Sequence, residues 1–293
     1  LTGAGVRALH FAAKLWIMSS TPDQLRGRYN SMYGRAYGAG FGIGPLGVSL
    51  LPLGLFVPFI CAAILFSVSM VITSRVKNDW PVRHDHGQST GKRYGVTLRL
   101  ALLALIPASL YGFMEAMLTS NFTIFGQRSG LTPEWVGMCL SVFVVASLIL
   151  QIPLGVWGDR YGRKRVLMVV MSIGGVLFML MPLVALSPYA LLGLFAITGA
   201  LVGSIASLGM GYGVDILPKH LLPTLSVMSS LGFGFASIAG PNIGGFSIQY
   251  ISPSSMFYVL GGVLLAYVIL AFFYKPNTAE LKHSTVTEAS STI

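Results

Sequence analysis

The chain has very little acid. Of 293 residues only 9 are Asp or Glu, against 19 Lys and Arg, and charges of both signs make up 10% of the sequence. A water-soluble globule carries about 25%, so the shortage excludes an ordinary soluble domain. Cysteine is nearly absent as well: Cys61 and Cys139 both lie inside apolar runs, which excludes a disulfide framework. The five histidines, His10, His84, His86, His220 and His283, are scattered. Only His84-Asp85-His86 places two together, fewer ligands than a protein zinc site needs, so neither metal nor cofactor is expected. No Gly-x-x-x-x-Gly-Lys-Ser/Thr loop is present, which argues against work driven by ATP. An enzyme in the membrane would need a nucleophile with its base, or clustered His and carboxylates, near one depth; the sequence offers no such cluster. The opening Leu1-Thr2-Gly3-Ala4-Gly5 has no Met, basic region or cleavage site. It is read as a fragment beginning inside a helix rather than on a signal peptide.

What the chain has is apolar length. Hydrophobic residues make up 54%. Nine runs are long enough to cross a bilayer: about 1–19, 30–50, 54–74, 97–119, 133–155, 165–184, 189–211, 222–248 and 255–274. The stretch from Ala36 to Ile72 exceeds one crossing, and Leu51-Pro52-Leu53-Gly54 gives it a place to turn. Arg7 and Lys14 fall within the first span. Every other Lys and Arg except Arg128 falls in or beside one alternating set of loops, at 26–35, 75–99, 160–165, 219 and 275–282. That asymmetry sets the orientation, with the segment at 75–96 and the carboxyl tail cytoplasmic. Because the cations fill gaps between spans rather than one solvated face, nucleic acid is not an expected partner. The expectation is a multi-pass protein of the cell membrane.

Two patterns go beyond composition. At an offset of 196 residues, Leu1-Thr2-Gly3-Ala4 lines up with Ile197-Thr198-Gly199-Ala200, Pro22 with Pro218, Met32 with Met228 and Gly44-Pro45 with Gly240-Pro241, the mark of a two-fold repeat. Between two spans stands Gly155-Val156-Trp157-Gly158-Asp159-Arg160-Tyr161-Gly162-Arg163-Lys164-Arg165. This resembles the loop signature of the major facilitator superfamily, twelve-helix secondary transporters. The resemblance implies an all-α membrane protein with helices 4 to 12 of a two-fold, six-plus-six bundle. Residues 1–74 would close the amino-terminal half, 75–96 form the central cytoplasmic loop, 97–274 make the carboxyl-terminal half, and 275–293 form a disordered tail. It also implies a conformational latch at Gly155, Asp159, Arg160, Gly162 and Arg163, meeting a helix end of the opposite half near Arg26-Gly27-Arg28. Gly40-x-x-x-Gly44-Pro45 resembles the fifth-helix motif of the antiporter branch, with Val48 and Ser49 where that motif ends in two glycines. Gly240-Pro241-Asn242-Ile243-Gly244-Gly245 is the fuller version. Such small residues let helix backbones approach closely.

Ionisable groups inside spans are costly and therefore candidates for function. Arg7 and His10 share one face of the first span with Gly3, Lys14 and Met18. Glu115 is the one carboxylate well inside a span, with Tyr111 one turn away. A carboxylate in a low-dielectric cavity has a raised pKa, as a proton carrier requires; the alternative is that Glu115 pairs with a cation and holds the bundle together. Pro107 would let this helix bend. Asp215 and Glu134 are expected near the membrane surfaces. Asn121-Phe122-Thr123 fits a glycosylation acceptor on the outer side. Together with the resemblance, these residues imply a monomeric, proton-coupled exporter of drugs or small metabolites working by alternating access, its partners being the small solute, protons and the lipid bilayer. Uptake of a sugar or organic anion is the other transport reading; a receptor or scaffold is the reading outside transport.

Overall fold

A computed structural model of the chain describes residues 56–75, 90–185, 187–218 and 221–274, with isolated positions between 32 and 54. The chain divides into two compact units, Leu1–Gly87 and Gln88–Ile293. In the first, α1 spans Val57–Ser74 and has the length and hydropathy to cross a bilayer. Hydroxyls along it are accommodated within the helix: Ser67 and Thr73 each donate to the carbonyl four residues earlier, at 2.8 Å. In lipid this matters because no water is there to accept them.

Among its described residues the second unit consists of helices joined by short turns. It comprises α2 (Thr90–Arg128), α3 (Pro133–Tyr161), α4 (Arg163–Leu180), a short 3-10 turn (Met181–Val184), α5 (Pro188–Val202), α6 (Ile205–Ile216), α7 (Leu222–Tyr250) and α8 (Ser255–Phe273). Local sequence explains the boundaries. Gly130 ends α2 with φ +75°, while the Leu131 and Gly130 amides return to the carbonyls of Gly126 and Gln127, a left-handed glycine cap. Pro133 and Pro188 open the next helices, where a missing N–H costs nothing.

Among the described residues, 7 segments are long and apolar enough to span a membrane. They correspond to the seven spans expected from 54 onward; the runs at 1–19 and 30–50 fall mostly outside the described residues. Two details differ from expectation. The helix expected at 97–119 runs from Thr90 to Arg128. The span expected at 189–211 is two helices, α5 and α6, interrupted at Gly203-Ser204.

Within this unit α2 packs chiefly against α7 and α6, α3 against α5, and α4 against α8. The centre is aromatic: Phe122, Phe125, Phe195 and Phe257 are almost fully buried. Ring centroids lie 4.6 Å apart for Phe122 and Phe195, and 4.9 Å for Phe125 and Phe257. Lipid supplies no hydrophobic drive between helices, so such close packing supplies the cohesion. Backbone approach adds to it. A methyl at Gly199 would strike the Phe143 carbonyl of α3, and one at Gly261 the Gly175 carbonyl of α4. Helix α2 is bent, with a non-helical residue at Ala101 (φ −114°, ψ 16°) and Pro107 within its length.

Candidate functional site

Three of the candidate groups lie in this unit. The first is the junction of α3 and α4. The segment expected as a loop is almost wholly helical: Gly155, Asp159 and Arg160 belong to the end of α3, and Arg163 begins α4. Gly162 alone connects them, at φ +93°, a backbone conformation that an L side chain rarely adopts. The reversal folds Arg163 back over Asp159. Its Nη2 and Nε donate to Asp159 Oδ1 at 2.6 and 3.0 Å, and Nε lies 3.5 Å from Asp215 Oδ2 on α6. Two glycines make room for that guanidinium. A Cβ at Gly211 would collide with it, and one at Gly158 would stand 3.1 Å from Arg163 Cγ. Arg163 thus bridges carboxylates of two helices. Next to it, Lys164 Nζ donates to the Tyr274 carbonyl at 2.8 Å, a cation at the carboxyl end of α8.

Asp215, expected only near a membrane surface, is a member of this bridge. The signal for it was present: an acid expected near a membrane surface, in a chain with few acids and many cations beside its spans. The partner expected for the latch, near Arg26-Gly27-Arg28, lies outside the described residues.

The second group is the seam between α2 and α7, where the glycine motif is used. A Cβ at Gly240 would meet the Phe113 carbonyl, and one at Gly244 would meet the Asn121 amide and Met117. Asn121, 3% exposed, fills the space that Gly244 leaves and donates from Nδ2 to the Pro241 carbonyl at 3.1 Å. Nearer the end of both helices Arg128 Nη1 reaches the Ile248 carbonyl at 3.2 Å. This corrects the reading of Asn121 as a glycosylation acceptor: its amide is buried between two helices and engaged with backbone. Gly245 lies off the seam, with Asn121 Oδ1 at 3.9 Å from a Cβ there. In the first unit, no described atom comes within 4 Å of a Cβ at Gly40 or Gly44; Pro45 lies outside the described residues.

The third group sits on α2 between these features. Tyr111 and Glu115 are four residues apart, on one face of the helix. Both are half-buried, and the Tyr111 ring lies 6.1 Å from that of Phe233 on α7. Thr119 donates to the Glu115 carbonyl at 2.9 Å. Arg7 and His10 lie outside the described residues.

These features define an all-helical, multi-pass membrane protein whose helices are joined by glycine seams and whose charges collect at helix ends. Residues 104–291 match the sequence model of the Major Facilitator Superfamily. The chain is 34% identical over 274 residues to the uncharacterized MFS-type transporter YfkF of Bacillus subtilis, covering 91% of this chain and 70% of that protein. Similarity extends to two further proteins of the same printed description, Ent638_1421 of Enterobacter sp. strain 638 (23%, over 92% of this chain and 69% of that one) and YcaD of Escherichia coli (24%, with the same coverage). The chain belongs to the major facilitator superfamily of membrane transporters, as the junction signature implied.

Proposed function

We propose that this chain is the greater part of a proton-coupled exporter of drugs or small metabolites, working by alternating access at the cell membrane with its carboxyl terminus in the cytoplasm. On this reading residues 1–74 end one six-helix half, 75–96 link the halves, 97–274 form the other, and the protein acts as a monomer. The observation that carries it is Glu115, a half-buried carboxylate on a membrane-length helix, one turn from the Tyr111–Phe233 aromatic pair. A carboxylate at such a place is costly, which makes it a candidate for ion movement, and its protonation equilibrium shifts as the surroundings open and close. The aromatic pair beside it suits an apolar solute. The Gly40-x-x-x-Gly44-Pro45 motif supports the antiporter branch, the α2–α7 glycine seam supports the two-fold repeat, and the Asp159–Arg163–Asp215 bridge supports a latch at one end of the bundle. Arg7 and Lys14, cationic residues of the first span, favour an organic anion among the possible solutes, with His10 on the same face.

The test uses the full-length protein in acid-loaded proteoliposomes with radiolabelled, permanently charged lipophilic cations or organic anions. An antiporter moves solute into the acid compartment as protons leave. Accumulation by the parent protein and its loss in Glu115→Gln would support the reading and give the solute's charge. Accumulation only in vesicles loaded at alkaline pH would replace it with proton-coupled uptake. Movement indifferent to both gradient and substitution would leave Glu115 a structural residue.

A further inference from the structure

Proline inside a helix removes one backbone hydrogen bond: the residue has no N–H, so the carbonyl four positions earlier loses its intrahelical donor. For Pro107 of α2 that carbonyl belongs to Leu103, which is 1% exposed. An unpaired carbonyl so deeply buried in the bundle is expensive. The vacancy is filled from another helix. Tyr267 of α8, itself 3% exposed, donates its hydroxyl to the Leu103 carbonyl at 3.0 Å. A second tyrosine at the end of α8 repeats the contact nearer the helix start, Tyr274 Oη donating to the Arg99 carbonyl at 3.1 Å. Between those two carbonyls lies Ala101, the non-helical residue of α2. On another side of the bend, α6 offers Gly209, where a Cβ would stand 2.7 Å from Pro107 Cβ and 3.1 Å from the Ala104 carbonyl. The bend is therefore held by a hydroxyl from α8 and a bare notch in α6.

We propose that Tyr267 is a positioning residue, a clamp on the Pro107 bend that fixes the direction of the α2 segment carrying Tyr111 and Glu115, one and two turns beyond the proline. An alanine methyl in place of the Pro107 ring would restore an N–H to position 107 and return Leu103 to its own helix. The clamp then has nothing left to hold. A side chain that merely packs would matter equally with or without the proline, so the pair of substitutions separates the two roles.

The experiment uses the full-length protein, free of other cysteines, with nitroxide labels at Leu98 and Ile124. Both are exposed positions of α2 on opposite sides of the bend, about 40 Å apart along a straight helix. Pulsed electron resonance reads the distance distribution in the parent, Tyr267→Phe, Pro107→Ala and the double variant. Tyr267→Phe should broaden the distribution and lower the thermal midpoint by about 2–4 °C; in the Pro107→Ala background it should change neither. An unchanged distribution in Tyr267→Phe, or equal effects with and without the proline, would overturn the clamp. Should Pro107→Ala give too little protein, the single variant decides by the first criterion.

These readouts need no solute. The importance of the clamp for transport rests on the function proposed above. Once a solute moves in the acid-loaded vesicles, Tyr267→Phe should lower the maximal rate several-fold with little change in half-saturation. Failure of that transport reading would leave the distance result standing, and failure of the distance result would leave the transport reading standing.

Discussion

Single side chains in this unit are held by what their neighbours lack. Arg163 reaches Asp159 and Asp215 because Gly158 and Gly211 carry no side chain in its path. Both carboxylates are largely solvated, and such pairs contribute at most about 1 kcal/mol. Asp159→Asn should therefore leave membrane insertion and thermal midpoint near those of the parent while lowering transport several-fold. A drop in folded yield matching the drop in transport would reduce the bridge to a structural contact. Asn121 is the opposite case. Its amide is buried, and Asn121→Ala would remove the interhelical bond to the Pro241 carbonyl and leave a void at Gly244, at a cost of about 1 kcal/mol or more, seen as a lower thermal midpoint of the purified protein. The sequence around Asn121 invited a surface reading because Asn-Phe-Thr is a short pattern. Nothing in it shows that a helix from another part of the chain, 120 residues on, will cover that amide.

Elements show which sequence signals carry across. Hydropathy placed each span from 54 onward because lipid demands a long apolar helical stretch for each crossing. It misplaced the ends for the same reason. Helix α2 continues through Ser120, Asn121, Thr123 and Gln127, residues that read as a loop but whose neighbours Asn121 and Arg128 bond the α7 backbone. The break between α5 and α6 had no hydropathy signal; Gly203 there lies so close to Ser147 that a Cβ would collide with it. The glycine motif was legible as a packing surface, though not which of its glycines face the partner. The structure separates them, and Gly244→Ala should disrupt the α2–α7 seam where Gly245→Ala should not. Thermal unfolding of the two variants checks this. Equal loss in both would mean that the motif acts through backbone freedom rather than contact.

At the scale of the whole molecule the proposed coupling rests on one carboxylate in a protein that has few. If Glu115 carries the coupling proton, the solute and proton equilibria are linked through it, and removing its charge should break the linkage without removing the solute pathway. Glu115→Gln mimics the protonated side chain permanently. It should still exchange labelled for unlabelled solute across vesicles at equal pH, because exchange asks only that the loaded carrier reorient. It should fail to accumulate solute when a pH gradient is imposed, because no proton leaves the side chain to bias the cycle. The parent protein should do both, with accumulation rising as the vesicle interior is made more acid. A Glu115→Gln protein that folds, labels and unfolds like the parent yet neither exchanges nor accumulates would place Glu115 in the solute site itself. One that accumulates as well as the parent would move the coupling proton to another residue. The distinction lies between exchange and accumulation, so it depends on how the whole transporter cycles and not on the stability of any one helix.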